Sequence, residues 1–185
     1  MGNTSYKLYA TIIFVKMYAV TVIFIILAFF ASFASLTITS NVFPNWALAE
    51  KALFSSRLSG NEEVPPVQTD ATGSAKFTAP HFDNIGYSVN VSNMDKVTAA
   101  HIHSGKQGEN GPILVTLFKA ETPSSEPING NLASGNITNA NLEGPMAGKT
   151  LIDLTKSMEL GETYVNVHSE EHPNGEIRGQ IQGGE

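Results

Sequence analysis

Short alternating runs of apolar and polar residues organise the chain from residue 52 onward. Between residues 85 and 91, Ile85, Tyr87, Val89 and Val91 alternate with smaller or polar residues. Side chains of a β-strand point alternately to the two faces of a sheet, so this run indicates a strand with one buried face. Eight or so short strands separated by turns indicate an antiparallel sandwich or barrel, and we predict an all-β, Greek-key-like β-sandwich. The predicted strands lie near residues 52–58, 73–79, 85–91, 97–103, 113–118, 133–138, 163–169 and 176–182.

Three segments between the predicted strands have a different pattern. Thr150–Leu160 has apolar residues at helical spacing and could form a short amphipathic helix. Residues 120–131 are polar with two prolines and are expected to form a surface loop. Residues 61–67 contain adjacent prolines, which cannot donate to a sheet, and are expected to be an extended edge or a loop. Glu62 and Glu63 in that segment are expected to be solvated.

A long uncharged segment precedes the predicted strands. Met17–Ala49 contains no charged residue, and its apolar core is long enough for a membrane-spanning helix, which takes about 20 residues. Lys7 and Lys16 precede it, and lysines that flank a membrane-spanning segment are usually on the cytoplasmic side. Ala47–Ala49 has the A-x-A pattern of a signal-peptide cleavage site. Two interpretations stay open: residues 1–49 are a cleaved signal peptide or an uncleaved signal-anchor transmembrane helix.

Either interpretation places residues 50–185 outside the cytoplasm, secreted or anchored to the cell membrane facing outside. This part holds all 17 acidic residues and nine of the 11 basic ones, so its formal net charge is −8. We expect no nucleic-acid partner, because there is no basic surface to bind one, and membrane contact only through a retained N-terminal segment. The chain has no cysteine, which excludes disulfides, thiolate metal ligands and thiol catalysis.

Four of the five histidines lie in or beside two predicted strands. His101 and His103 are two residues apart on one strand, so both side chains leave the same face, about 7 Å apart. His168 lies near the end of the strand 163–169, and if the two strands are neighbours, three imidazoles converge. An all-imidazole set suits copper or zinc. We therefore predict a copper or zinc ion at His101, His103 and His168, with His172 as a candidate fourth ligand. The alternative is a polar cluster whose histidines are hydrogen-bonded to nearby protein groups.

Five blocks of residues follow one another in a distinctive order: Leu58–Val67, Thr69–Gly73, Ala100–Pro112, Gly161–Ser169 and Asn174–Ile181. Together they resemble the CHRD family, a domain first described as a repeat in chordin and also found alone in microbial exported proteins. The resemblance covers about residues 53–182 and implies a β-sandwich of extracellular or envelope location. It does not imply a settled biochemical activity. The family commonly has threonine after the late histidine, and Ser169 keeps that hydroxyl here.

The histidine pattern is also similar to that of copper/zinc superoxide dismutases, which use a His-x-His strand and a later Val-x-His strand. His101, His103 and His168 match that set by type and order. Arg178 compares with the anion-attracting arginine of those enzymes only by its late position, and we favour a structural role for it. The bridging histidine, the cysteine pair and the second-metal ligands of those enzymes have no counterpart in the sequence.

Three functions stay open at this point, since fold analogy is weak support for chemistry. The first is an exported module that binds copper or zinc without turnover. The second is a copper-dependent redox enzyme resembling superoxide dismutase. The third is a non-catalytic adhesive or scaffold module whose histidines are structural.

Overall fold

The computed structural model describes residues 52–81 and 83–184 of the chain. The predicted N-terminal helix and the A-x-A site lie outside the described residues. Within the described ranges, no helix is both long and apolar enough to cross a membrane.

Nine antiparallel strands and one α-helix make up the described part of the chain, which confirms the prediction of an antiparallel all-β domain. The connections include short 3₁₀ turns at Gly60–Glu62, Asn139–Asn141 and Gly144–Met146. The strands are β1 (Ala52–Ser59), β2 (Thr72–His81), β3 (Asn84–Met94), β4 (Val97–Ser104), β5 (Ile113–Lys119), β6 (Ile128–Ile137), β7 (Thr163–Ser169), β8 (Ile177–Gln180) and β9 (Gln182–Gly183), and the helix is α1 (Leu151–Glu159).

Two predicted segments have different bounds in the structure. Strand β6 begins at Ile128, inside the segment that was expected to be a surface loop. Its residues Asn129, Gly130 and Asn131 have low strand preference, but pairing with β3 outweighs it, and register shifts accommodate the irregular backbone. The predicted last strand divides at Ile181, because β8 pairs with β7 whereas β9 pairs with β1.

The amphipathic segment forms helix α1, as its spacing indicated. Thr150 caps the first turn: its side chain accepts from the backbone N–H of Asp153, and the Asp153 carboxylate accepts from the backbone N–H of Thr150. Leu154 and Met158 are buried on the inner side of the helix. Gly161 follows the helix end with a φ of +64°, a left-handed conformation that favours glycine.

The strands form one continuous sheet in the order β5-β4-β7-β8-β1-β2-β3-β6, with β9 beside β1. The two ends of this path, β5 and β6, approach each other to within 8 Å between Cα atoms. The Tyr87 hydroxyl on β3, the strand next to β6, donates to Leu117 O on β5 at 2.7 Å. The sheet is therefore nearly closed and barrel-like, one of the two antiparallel forms that the strand spacing indicated.

The sheet has an apolar inner face and, over β4, β7 and β8, a polar outer face. Val165 and Val167 of β7 are fully buried in the apolar core. The alternate residues of β7 point outwards, yet the strand is buried along its whole length. Segments 60–67, 105–112 and 170–176 cover it, and hydrogen bonds tie these segments to one another and to the strands. We call this region the covered outer face, and the candidate site lies within it.

Candidate metal centre

Pairing of β4 with β7 brings the three predicted histidine ligands together. The register places Ala99 opposite His168 and His101 opposite Asn166, so the histidines of both strands lie on the covered outer face. One ring nitrogen of each histidine lies within 4.8 Å of one from each of the others. Their ring centroids are 5.6 Å apart for His101 and His103, 5.0 Å for His101 and His168, and 5.9 Å for His103 and His168. The strand pairing that the sequence analysis had to assume is therefore present.

Backbone carbonyls fix the protonation of two of these rings. Gly111 O lies 2.9 Å from His103 Nδ1, and Pro173 O lies 3.0 Å from His168 Nδ1. A carbonyl oxygen only accepts, so each Nδ1 carries the ring proton and each Nε2 keeps a free lone pair. Proteins orient metal-binding histidines in this way, through a hydrogen bond from the nitrogen that does not bind the ion.

Three buried ring nitrogens have no hydrogen-bond partner: His101 Nδ1, His103 Nε2 and His168 Nε2. A buried polar atom without a partner costs about 1–3 kcal/mol. One metal ion that accepts the three lone pairs would remove this cost. The donor set therefore fits copper or zinc, both of which bind neutral imidazole nitrogen.

Burial keeps these imidazoles neutral, which is the form that binds a metal ion. The pKa of His101 is lowered to about 4. Burial is the largest cause, and the neighbouring rings of His168 and His103 act in the same direction, whereas the Glu143 carboxylate acts to raise the pKa. Burial also lowers the pKa of His103, against the hydrogen bond to Gly111 O, and that of His168, against the hydrogen bond to Pro173 O. The group is thus uncharged at neutral pH.

A buried arginine stacks on the ring beside His103. The guanidinium carbon of Arg178 lies 3.5 Å from the centroid of the Tyr164 ring. That ring in turn stacks on His103, with centroids 5.0 Å apart and an interplanar angle of 10°. The Tyr164 hydroxyl accepts from the Gly111 N–H at 3.2 Å. Tyr164 therefore supports both the ring of His103 and the loop whose carbonyl orients that ring.

Arg178 also binds the glycine-rich loop 105–112. Arg178 is only 1% exposed. Its guanidinium group donates to Asn110 Oδ1 at 2.9 Å, Lys106 O at 3.1 Å and Glu109 O at 2.7 Å. These contacts agree with the structural role that we favoured for this residue. The loop is held over the histidine group because one buried cation satisfies three of its oxygens.

Glu63 is a residue of the site that the sequence analysis missed. It was expected to be solvated, but it is buried, and Asn166 Nδ2 donates to its Oε2 at 3.5 Å. Burial raises the pKa of Glu63 to about 7, although the charge of Arg178 and the hydrogen bond from Asn166 act to lower it. Nothing in the local pattern distinguishes Glu63 from the exposed Glu62, since both stand beside the same prolines.

His172, the candidate fourth ligand, is not a member of the histidine group. It lies in the turn between β7 and β8, where its backbone N–H donates to Ser169 Oγ at 3.1 Å. It lines a cavity together with Glu170, Glu171 and Glu176. Among the described residues, no carboxylate and no fourth imidazole joins the three histidines. A role for His172 as a ligand stays a prediction.

The described domain matches a known protein family. The model of the CHRD domain matches residues 54–181. The chain belongs to the CHRD domain family. No curated protein and no solved structure matches it significantly. In this CHRD domain, the blocks that carry the resemblance are far apart in sequence but contribute Glu63, His103, Tyr164, His168 and Arg178 to the same covered outer face.

Proposed function

We propose that this CHRD domain binds one copper or zinc ion through His101, His103 and His168. The observation that carries the proposal is the set of three converging, buried ring nitrogens without hydrogen-bond partners. Purely structural histidines would use these nitrogens in hydrogen bonds, as His103 and His168 use their Nδ1 atoms. A bound ion accounts for rings that are both buried and unpaired.

Copper(II) is expected to bind more tightly than zinc(II). For a given set of nitrogen ligands, affinity among divalent ions rises to copper and falls again at zinc. Protons compete for the same lone pairs, so binding weakens once the histidines become protonated. Because the pKa of His101 is lowered to about 4, the site should keep its ion to a lower pH than ordinary histidines would.

Calorimetric titration of the metal-free protein tests the proposal. We expect one ion per chain, and a large loss of affinity in each of His101→Ala, His103→Ala and His168→Ala. His172→Ala separates a three-ligand site from a four-ligand site, and Gln107→Ala, in the exposed loop, is the matched control. If neither ion binds the wild type more tightly than the triple-alanine variant, the histidines form a structural cluster and the scaffold function replaces metal binding.

A copper-dependent redox enzyme is the second candidate. Structural zinc sites have four protein ligands, whereas catalytic sites have three and keep one position open. The histidine group offers three ligands among the described residues, which would leave one coordination position without a protein ligand. The copper-loaded protein is then expected to consume superoxide faster than the triple-alanine variant at the same total copper concentration. Equal rates would exclude this function and leave metal binding unaffected.

We also propose that the domain acts outside the cytoplasm. Support comes from the uncharged Met17–Ala49 segment, its preceding lysines and its A-x-A pattern. Protease added to intact cells should cut the domain, and mass spectrometry of the mature N-terminus distinguishes cleavage before Glu50 from a retained anchor. Protection of the domain until the membrane is broken, while a known external protein is cut, would contradict export.

A further inference from the structure

Next to the histidine group lies a second buried polar pair, Glu63 and Asn166. Glu63 is 5% exposed and Asn166 is 3% exposed. One hydrogen bond joins them, from Asn166 Nδ2 to Glu63 Oε2 at 3.5 Å. The other oxygen of each side chain, Glu63 Oε1 and Asn166 Oδ1, is buried without a hydrogen-bond partner. The pair is therefore only half satisfied if Glu63 is a carboxylate.

Both unpaired oxygens face the same small space beside Gly175. A Cβ on Gly175 would lie 2.6 Å from Glu63 Oε1 and 2.5 Å from both Oδ1 and Nδ2 of Asn166, so the carboxyl group and the amide border one point on the backbone. The amide donates to Glu63 Oε2, and the other two oxygens, Glu63 Oε1 and Asn166 Oδ1, lose the hydrogen bonds that they make in water. A proton on Oε1 supplies the missing donor, because a neutral carboxylic acid and a primary amide are complementary.

We propose that Glu63 holds a proton and acts as a positioning residue for His168. Its Oε1–H donates to Asn166 Oδ1, while its Oε2 accepts from Asn166 Nδ2. The carboxylic acid and the amide then form a closed pair with two hydrogen bonds, and both buried oxygens are satisfied.

The turn after β7 connects this pair to the metal centre. Gly175 packs against both side chains, and its backbone N–H donates to His172 O at 3.0 Å within that turn. The same turn provides the Pro173 carbonyl that accepts from His168 Nδ1. If the pair opens, Gly175 loses the surface on which it rests, and the Pro173 carbonyl is no longer fixed.

The groups around Glu63 act in both directions on its charge. The charge of Arg178 on β8 and hydrogen bonds from the Asn166 side chain and the Val64 backbone favour the carboxylate, and burial opposes it. Glu171 and His172, in the turn, line a cavity of about 240 Å³ that Glu63 also borders. Glu176, which precedes β8, accepts from the Thr69 hydroxyl at 2.8 Å. Burial is the largest of the influences on Glu63, and it raises the pKa of the residue to about 7.

Glu63→Gln separates the proton from the side-chain shape. A glutamine can donate from Nε2 to Asn166 Oδ1 and accept at Oε1 from Asn166 Nδ2, so it reproduces the protonated pair. Glu63→Met keeps a similar length but neither donates nor accepts. Glu62→Gln, at the exposed neighbouring position, is the matched control.

Two measurements on the metal-free protein test the pair without any ion. Carbon-13 NMR should show the Glu63 carboxyl titrating well above the ordinary value of 4.5, and the wild type should lose stability relative to Glu63→Gln as the pH rises from 4.5 to about 7. The wild type loses stability over this pH range because the folded chain holds a proton that the unfolded chain releases. A carboxyl titration at or below 4.5 would overturn the proposal. A separate measurement on the protein as purified would also overturn it: a chelator that lowers the melting temperature of the wild type but not of Glu63→Gln would show that a cation bridges the oxygens.

The effect on His168 rests on the proposed metal-binding function and has its own measurement. At pH 6, Glu63→Gln should bind zinc like the wild type, and Glu63→Met about tenfold more weakly, as when a group supporting a metal-binding histidine is lost. Wild-type affinity in Glu63→Met would refute the positioning role. If the wild type binds no zinc, the proposed function fails, while the NMR and stability measurements still decide the protonated pair.

Discussion

Replacing Arg178 by methionine is the most informative single change in the covered outer face. Methionine keeps much of the side-chain volume but removes the charge and every donor. The substitution therefore breaks the three hydrogen bonds to the loop 105–112 and the contact with the Tyr164 ring. Because Tyr164 stacks on His103, the change also removes one side of the support of that histidine.

The expected loss of stability in Arg178→Met is the difference between the hydrogen bonds that are lost and the burial penalty that is removed. A hydrogen bond from a charged donor contributes about 1.5–3 kcal/mol, so three of them would sum to more than the usual effect of one substitution. The loop oxygens belong to exposed residues and regain hydrogen bonds to water, and the variant no longer pays several kcal/mol to bury a guanidinium. We therefore expect a loss of about 3 kcal/mol in the free energy of unfolding, at the low end for breaking a buried charged contact.

Urea denaturation of the metal-free protein, followed by circular dichroism, measures this loss. Arg57→Met is the control, because Arg57 is exposed on β1 and its replacement should change the free energy of unfolding by no more than about 0.5 kcal/mol. Zinc affinity of Arg178→Met should fall as well, because His103 is less well held. A loss below about 1 kcal/mol would refute the reasoning, since the buried cation would then contribute no more than a surface group.

Three further predictions concern single positions. Gly175→Ala should lower the free energy of unfolding, measured by urea denaturation, by about 2 kcal/mol or more, because Gly175 has a φ of +131° and a Cβ would meet the Glu63 and Asn166 side chains. Gly108→Ala should lower it less, because Gly108 has a φ of +82° but open space around the position of a Cβ. Tyr164→Phe should cost about 1 kcal/mol, since it removes only the acceptor for a backbone N–H, and a larger loss would mean that the ring itself has moved. His101→Gln should make the free energy of unfolding of the metal-free protein depend less on pH below about 6.5. Wild type should lose stability relative to this variant as the pH falls from about 6.5 to 4, because the unfolded chain takes up a proton that the folded one excludes; parallel profiles would contradict the lowered pKa of His101.

The parts of the fold that were predictable from sequence depend on local rules. Alternation over residues 85–91 located β3, and the spacing of His101 and His103 determined that both leave the same face of one strand. Which strands are neighbours is a long-range property, so the pairing of β4 with β7 could only be assumed. The near closure of the sheet into a barrel has the same origin, because it brings β5 and β6, at opposite ends of the strand order, close together.

Burial of polar residues was the other part that the sequence did not reveal. Glu63 follows a charged residue and precedes prolines, a pattern typical of a solvated segment, yet the loop it belongs to folds over β7. Asn166 lies two residues before His168, so alternation along the strand puts both on one face, but its partner could not be identified without the loop. Polar side chains that stabilise a site through other segments of the chain leave no periodic pattern, so only the structure identifies them.

Strand β7 is closed to solvent on both faces, by the apolar core on one side and by the covering loops on the other. Its amide hydrogens should therefore exchange with deuterium only when the whole domain opens, which places them among the slowest of the described residues. His168 lies on this strand, and an ion that binds only the folded state lowers the equilibrium constant for global opening by the factor one plus the ratio of free ion concentration to Kd. The exchange rate of one central amide, such as that of Val167, would then report the metal affinity of the domain without any spectroscopic signal from the ion.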